Sequence, residues 1–352
     1  MKCKVNRTEF LARLKLGQKI SGGIREDEAK LCYLEIKEGR LEINTLRHGA
    51  QWYTGLLDLI GVSEEGRHAV PVDDIVKVVE RLETEELILK SMASKFRIQG
   101  GKRYGTVPSL DSEFPISSIG DNVVDGYEGP NEFATIIRGL CTIGVSGVST
   151  IWGAVRLGDD GRAGATDTGN LIWTPLPLLN GTGREILIPI QSFVPVANMI
   201  GNIKVRVSDS FVEFISDRGM YKARLLAKDP PPYQSLINQR TAFETAKFPL
   251  QQLIVELDAF SKVVSSSAII VVKDRELTVK TPPGSLVEFS TTSEFDGDLK
   301  CRFLVNPNNI LPVAKLLGES CEVFKGTTSH LTMKSEETIA IVSCLDGSLK
   351  FA

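Results

Sequence analysis

The sequence predicts an α+β fold built from three repeats of one module, each with two helices packed on antiparallel sheets. Three observations predict it. An apolar strand ending in proline runs into a helix-like segment at Pro71, Pro189 and Pro307, and the interval is 118 residues both times. That period is the size of a domain, well above the roughly 20–50 residues of solenoid repeats. A second helix-like run precedes each marker proline, at 6–20, 130–144 and 248–264, and alternating strands follow every helix.

In the first module, NRTEFLARLKLGQKI sets Phe10, Leu11 and Leu14 on one helical face. KLCYLEIKEGRLEINTL then alternates as a strand pair with Glu38-Gly39 as its turn. HAVPVDDIVKVVERL supplies the second helix over 72–83, and EELILKSMASKFRIQGGKRYGTV the second strand set. The second module opens on PNEFATIIRGLCTIG, with Phe133, Ile136, Ile137 and Leu140 in helical register. STIWGAVRLGDDGRAGAT is its strand pair, ILIPIQSFVPVANMIG its second helix of about three turns, and NIKVRVSDSFVEFISDRGMYKARLL its closing strands. In the third, FPLQQLIVELDAFSKVV carries Leu253, Ile254 and Leu257, and SAIIVVKDRELTVKT follows as strands. FLVNPNNILPVAKLLG and the strands from ESCEVF onward complete it. Proline suits a first helical turn, where its missing N–H costs nothing. Polar, turn-forming stretches at 111–130 and 233–245 read as linkers, so the expected domains are 1–120, 128–238 and 243–352.

With 352 residues, 42% hydrophobic and 24% charged, the composition is that of a soluble globular protein without long disorder. The formal charge of -3 does not announce nucleic acid, although local clustering of cations is what steers a polyanion. Cys3, Cys32, Cys141, Cys301, Cys321 and Cys344 are scattered and form no CxxC pair, so no zinc site is expected and the thiols read as free. No signal-peptide stretch opens the chain, and no run approaches the ~20 apolar residues of a membrane helix. The expectation is a cytoplasmic protein with no membrane contact, no metal and no cofactor.

No catalytic constellation emerges. GVSGVS lacks the spacing of a nucleophile elbow, and GGKRYG lacks the phosphate-loop pattern. His48, His68 and His330 are isolated. Asp167-Thr168-Gly169 spells the tripeptide of aspartic proteases, which need two such loops to share one proton. One copy is present, so a protease using Asp167 would have to be a symmetric dimer.

Several strings resemble, in order and spacing, the bacterial DNA polymerase III beta-subunit family, the DNA sliding clamps. LDSEFP is similar to the stretch closing that family's first domain, and GATDTGNLIW to its Ala-Thr-Asp-Gly-His-Arg-Leu loop. KARLLAKDPPPYQSLI resembles the segment carrying Pro-Asp-Tyr, and CRFLVNPNNILPVAKLL the start of a third-domain helix. The chain departs where the family has Gly-His-Arg and this sequence has Thr168-Gly169-Asn170. It also places Ser265, Ser266 and Ser267 directly after Val263 and Val264, where the family has aliphatic dimer contacts. It resembles a divergent member.

The resemblance implies a DNA clamp fold and a non-enzymatic processivity factor. Such a homodimeric ring encircles double-stranded DNA without reading sequence, and binds a polymerase and a clamp loader through linear peptides. The implied peptide pocket comprises Ile151, Thr166, Thr168, Gly169, Asn170, Leu171, Pro231, Leu236, Val305, Val342 and Cys344, the last two with a register uncertainty of one residue. Burying two apolar anchors yields roughly 3–6 kcal/mol before ordering costs, and micromolar binding is the expectation. Arg7, Arg13, Lys15, Lys19, Arg25 and Arg138 are the implied DNA-facing residues, with Lys102 as a loop contribution. The 6–20 helix carries four cations against Glu9, whereas 72–83 is net acidic, so the lining is weakly basic. Tyr104, Val263 and Val264 are the implied dimer contacts. A monomeric clamp-fold adaptor or decoy that binds the same peptides is the alternative.

Overall fold

A computed structural model describes residues 1–21, 30–47, 50–109, 114, 119–143, 151–167, 169–199, 201–318, 321–325, 329–345 and 349–351. The first third runs β1 (Lys2–Asn6), α1 (Arg7–Ile20), β2 (Leu31–Lys37), β3 (Arg40–Arg47), β4 (Gln51–Asp58), β5 (Gly61–Glu64), β6 (Gly66–Pro71), α2 (Val72–Glu80), β7 (Glu86–Ser91), β8 (Lys95–Gly100) and β9 (Arg103–Pro108). The second continues with β10 (Val124–Pro130), α3 (Ala134–Ile143), β11 (Ala154–Leu157), β12 (Arg162–Thr166), β13 (Leu171–Pro175) and β14 (Ile186–Pro189). Then come α4 (Ile190–Phe193), β15 (Asn202–Val207), β16 (Phe211–Ser216), β17 (Gly219–Arg224) and α5 (Tyr233–Arg240). The last comprises β18 (Thr245–Phe248), α6 (Leu250–Val263), β19 (Ala268–Lys273), β20 (Glu276–Lys280), β21 (Ser290–Glu294) and β22 (Cys301–Val305). It ends with α7 (Pro307–Leu316), β23 (Cys321–Phe324), β24 (His330–Ser335), β25 (Thr338–Ser343) and β26 (Lys350–Phe351). Strand, helix, three strands, a further strand, helix, three strands is therefore the common order of the thirds, as the marker prolines predict. The short elements β5, α5 and β26 are additions to it.

Local chemistry accounts for the elements. Asn6 caps α1 by accepting a hydrogen bond from Glu9 N at 3.1 Å. In α2, Val72, Ile75, Val76 and Val79 are buried at helical spacing. Asn306 caps α7 through Asn308 N at 2.9 Å, and Pro307 occupies the first turn as expected. Pro71 instead caps α2, and Pro189 ends β14. The Glu38-Gly39 turn has both residues at positive φ, the form that matches strand twist. Asp274 and Arg275 take the same form between β19 and β20, without a glycine to ease it.

Three expectations are corrected. The helix of about three turns after Pro189 is a four-residue α4 followed by a 3₁₀ segment, Val194–Asn198. Pro195 has no N–H to continue an α-helix and disfavours helical backbone at Val194. The stretch 233–245 is not a bare linker, because it contains α5, and Tyr233 and Ile237 are buried four residues apart. In 111–130 the end of the stretch forms β10, paired to β15.

The chain divides into two compact units: Met1–Glu132 with Ser192–Leu225, and Phe133–Gln191 with Leu226–Ala352. Unit 1 holds a five-stranded sheet, β5-β1-β7-β8-β9, and an eight-stranded sheet, β10-β15-β16-β17-β4-β3-β2-β6. Its core includes Val5, Phe10, Leu14, Leu34, Ile75 and Phe96, and α1 packs on α2. Unit 2 holds an eight-stranded sheet, β14-β11-β12-β13-β25-β24-β23-β18, and a five-stranded sheet, β21-β20-β19-β22-β26. There α7 packs against both α3 and α6. Every buried side chain of Leu or Phe size in these cores contributes roughly 1.5–3 kcal/mol.

Two ladders join elements far apart in sequence by one rule. The third strand of a module's front half pairs with the last strand of a module's rear half: β4 with β17 in unit 1, and β13 with β25 in unit 2. The corresponding strands left over are β21 and β9, and each is the edge of its five-stranded sheet.

Candidate functional site

A small apolar cluster lies on unit 2 where β13, β25 and α5 meet, and its partly open edge at Leu236 and Ile339 is the candidate groove. Leu171 stands directly opposite Ile341, and Trp173 opposite Ile339, so all four share a face of the sheet. Tyr233 and Ile237 of α5 close over them, with Leu236 and Ile339 only partly buried. Leu236 and Ile339 are thus the apolar side chains through which this cluster reaches the surface.

The loop before β13 forms one rim. Asp167 Oδ1 accepts hydrogen bonds from Gly169 N at 3.0 Å and Asn170 N at 2.6 Å, and its Oδ2 accepts one from Asn170 Nδ2 at 2.9 Å. Thr166 Oγ1 donates to Asn170 O at 2.7 Å. Asn170 Oδ1 in turn accepts from Ser343 N, and Ser343 Oγ donates to Gly169 O at 2.6 Å. The Asp167 carboxylate therefore braces a loop and ties it to β25. Both of its oxygens are taken up by its own loop, which argues against the protease reading.

The other rim is aromatic and charged. Trp173 and Tyr233 stack with centroids 5.2 Å apart, and the Arg156 guanidinium lies 4.8 Å from the Trp173 ring centroid. Asp160 holds Arg156 at 2.8 Å, and Glu185 pairs with it as well. Gly164 is required here, since a Cβ would sit 2.8 Å from both the Trp173 and Tyr233 rings. A cavity of about 290 Å³ opens between Arg156, Trp173, Glu185, Pro231 and Tyr233. The Tyr233 hydroxyl is closed off from solvent and has no hydrogen-bond partner among the described residues, and burial pushes its ionisation above the ordinary tyrosine range. It stays a protonated donor.

Of the implied pocket residues, Thr166, Asn170, Leu171 and Leu236 lie at this groove, with Gly169 in its rim and Pro231 beside it. Ile151 is half-buried in a 3₁₀ turn that packs on β12. Thr168 lies outside the described residues. Val342 does not face the groove: it follows Ile341 in β25, so it points to the opposite face and is fully buried. Cys344 has the same parity and is buried too. Ile341 and Ser343 take the groove side, one residue before each. Val305 belongs to β22 in the five-stranded sheet and is fully buried there. The sequence reading missed Trp173, Tyr233, Ile237, Ile339 and Ile341. Trp173, two residues beyond Leu171, and the Tyr233, Leu236, Ile237 spacing were the available signals.

The implied DNA-facing residues divide. Lys15 and Lys19 are exposed one helical turn apart on α1, and Lys15 pairs with Glu80 at 2.7 Å. Arg7 Nε donates to Val79 O at 3.1 Å and so secures the end of α2. Arg13 is corrected: it is only 9% exposed and its Nε donates to Leu56 O, so it is spent inside unit 1. Arg25 lies outside the described residues. Arg138 is exposed on α3, and Lys102 in the turn before β9. On unit 2, Lys262 and Lys315 both bond Asp258, holding its carboxyl below the ordinary range. Among the implied dimer contacts, Tyr104 on β9 is 61% exposed and Val263 at the end of α6 is 52% exposed, whereas Val264 is buried. All six cysteines are free. Burial pushes the thiols up, to about 12 for Cys3, Cys141, Cys301, Cys321 and Cys344. Among the described residues, no helix is long and apolar enough to cross a membrane, and no cluster of three or more metal-ligating side chains occurs.

No protein-family model and no curated protein matches the sequence. Solved structures match over nearly its full length. The DNA polymerase sliding clamp from Bacillus subtilis aligns with a TM-score of 0.79 at 13% identity, covering 98% of this chain and 99% of that one. The DNA polymerase III beta subunit from Thermotoga maritima gives 0.76 at 18% identity, with 98% and 99% covered. The Helicobacter pylori beta clamp bound to a DNA ligase peptide gives 0.76 at 13% identity, with 98% and 100% covered. The chain has the fold of the bacterial DNA polymerase III beta sliding clamps.

Proposed function

We propose that this chain is a DNA sliding clamp: two copies close head to tail into a ring around duplex DNA, and its groove holds peptides of replication proteins. The carrying observation is the strand-pairing rule. It is used twice within the chain and leaves β9 and β21 as the two matching open edges. An open edge presents unpaired backbone donors and acceptors, and pairing β21 of one copy with β9 of another satisfies them at both seams of a symmetric dimer.

The rule also supplies a register. Met220 and Ile339 are each the second residue after a two-residue hairpin turn, and Tyr104 is the same residue of its own hairpin. Ser290 corresponds to Thr54, since each faces the fifth residue of the preceding strand counted from its turn. Thr54 pairs with Met220, so a seam that follows the unit 1 ladder sets Ser290 of one copy opposite Tyr104 of the other; in the unit 2 ladder Ile339 instead faces Trp173, opposite the third residue of β12, and a seam of that register would set Thr292 there. In this arrangement the modules 1–120, 128–238 and 243–352 form half a ring. Arg7, Lys15, Lys19 and Arg138 contribute the modest positive charge that lets duplex slide rather than stick.

The groove serves the partners. Its aliphatic floor would take a leucine and a phenylalanine from a polymerase or clamp-loader peptide, and the ligase peptide on the Helicobacter pylori clamp supports that reading. Such a protein is cytoplasmic and non-enzymatic, and needs neither metal nor cofactor. The test is topological. On duplex DNA anchored at one end, the chain should be retained when the free end is blocked by a bulky protein after loading, and released when that end is opened. Equal release from blocked and open ends refutes encirclement.

A further inference from the structure

The two ladders that join distant parts of the chain end in the same way, and the matching edge strand β9 cannot end so. In each, the sixth residue after the hairpin turn donates its backbone N–H outward, to the loop of the neighbouring front half. Arg224 N donates to Ala50 O at 2.8 Å, in the loop between β3 and β4. Ser343 N donates to Asn170 Oδ1 at 3.1 Å, in the loop between β12 and β13. The seventh residue turns its N–H inward to its own hairpin, Leu225 to Ser210 O and Cys344 to Ser329 O. In β9 the seventh residue is Ser109, and it too donates inward, to Ser94 O at 3.1 Å. The sixth therefore faces outward as in the other two, but it is Pro108, exposed and without an N–H to give. An edge strand accepts proline where its missing N–H faces away from the sheet.

The loop at the other free edge that corresponds to those of Ala50 and Asn170 is 281–289, between β20 and β21. It is a built loop. Thr281 N donates to Phe289 O at 3.0 Å, Pro282 and Pro283 stiffen it, and Gly284 turns it at positive φ. At its tip Leu286 is fully exposed and Val287 is 47% exposed. With Ser290 opposite Tyr104, counting onward along β9 and back from β21 sets Leu286 opposite Pro108. The register of the unit 2 ladder would set Glu288 there, a carboxylate against a nitrogen with no hydrogen to offer. An apolar tip meeting an apolar ring favours the first.

We propose that Leu286 and Val287 of one copy clasp Pro108 at the end of β9 in a second copy, an apolar contact where both internal ladders have a hydrogen bond. The clasp rests on the ring reading and fixes its register. It also marks where a ring opens. An internal ladder that parts loses the bond of Arg224 or Ser343, whereas a seam has no such bond to lose. The seams are the joints that part and re-form.

The test is sedimentation velocity of full-length variants across a concentration series. Leu286→Asp should raise the dimer dissociation constant about 100-fold, roughly tenfold at each of two seams. The thermal midpoint of the subunit should stay where it is, because the side chain is already in water. Phe243→Asp, at an exposed apolar residue of unit 2 beside the far edge strand β18, should leave the dimer at wild-type strength. In a Pro108→Asn background, where the ring that Leu286 meets is gone, Leu286→Asp should cost less than about tenfold. The full loss in that background overturns the contact with Pro108. Wild-type strength in Leu286→Asp overturns the clasp, and a disulfide between cysteines at 104 and 290 would then show the ring standing without it. A larger loss from Glu288→Lys than from Leu286→Asp assigns the other register and overturns the proposal. A wild-type chain still monomeric at tens of micromolar removes ring and clasp together.

Discussion

Leu236→Asp should weaken binding of a peptide carrying adjacent leucine and phenylalanine about 100-fold, with the thermal midpoint nearly unchanged. Leu236 is only partly buried on α5, so a carboxylate there can turn to solvent in the free protein. Against a bound apolar anchor it cannot. Losing one anchor contact and burying a charge against the other removes about 3 kcal/mol, which moves a micromolar complex beyond ~100 µM. Leu171→Asp should abolish binding as well, but at a cost in stability, because Leu171 is 3% exposed in the middle of a sheet. A fluorescein-labelled peptide read by polarisation, with a melting curve for each variant, checks both. Full affinity in the Leu236 variant would remove α5 from the groove.

Tyr104→Asp combined with Val263→Asp should convert dimer to monomer at micromolar concentration. Both side chains are more than half exposed in the single chain, so the exchange costs the isolated subunit little. Burial of the pair at a seam contributes roughly 3–6 kcal/mol, and a ring has two seams. The dissociation constant should rise at least 10⁴-fold. Sedimentation velocity across a concentration series reads the change, and a dimer of wild-type strength in the double variant would place the interface elsewhere.

The threefold plan was legible because it is written in local signals. Pro71, Pro189 and Pro307 recur at one interval, and Phe10 with Leu14 or Leu253 with Leu257 mark helix faces within a single turn. The hairpin at Glu38-Gly39 is likewise a matter of two residues. What failed depended on distant partners. Leu171 meets Ile341 through a pairing of strands 170 residues apart, and a one-residue offset moves Val342 and Cys344 to the core side. The groove's aromatic wall was hidden because α5 has only three apolar positions in a polar segment. Charge counting did not distinguish Lys15, which is exposed, from Arg13, whose guanidinium is bonded to a carbonyl. Pro195 was visible, yet the run of apolar residues around it outweighed the missing N–H in the reading of that helix.

Ring closure is tested most directly by placing cysteines at Tyr104 and Ser290. Residues directly opposite in an antiparallel pair have Cα atoms about 4.5–5.5 Å apart, within disulfide reach. The native thiols are buried or nearly so and raised in pKa, so they should not compete. Under mild oxidation the Tyr104→Cys, Ser290→Cys chain should give a covalent dimer in non-reducing gels, and neither single variant should. Monomer alone from the double variant, together with a monomeric mass by light scattering at tens of micromolar, would contradict the ring and leave a monomeric peptide-binding adaptor as the function of this fold.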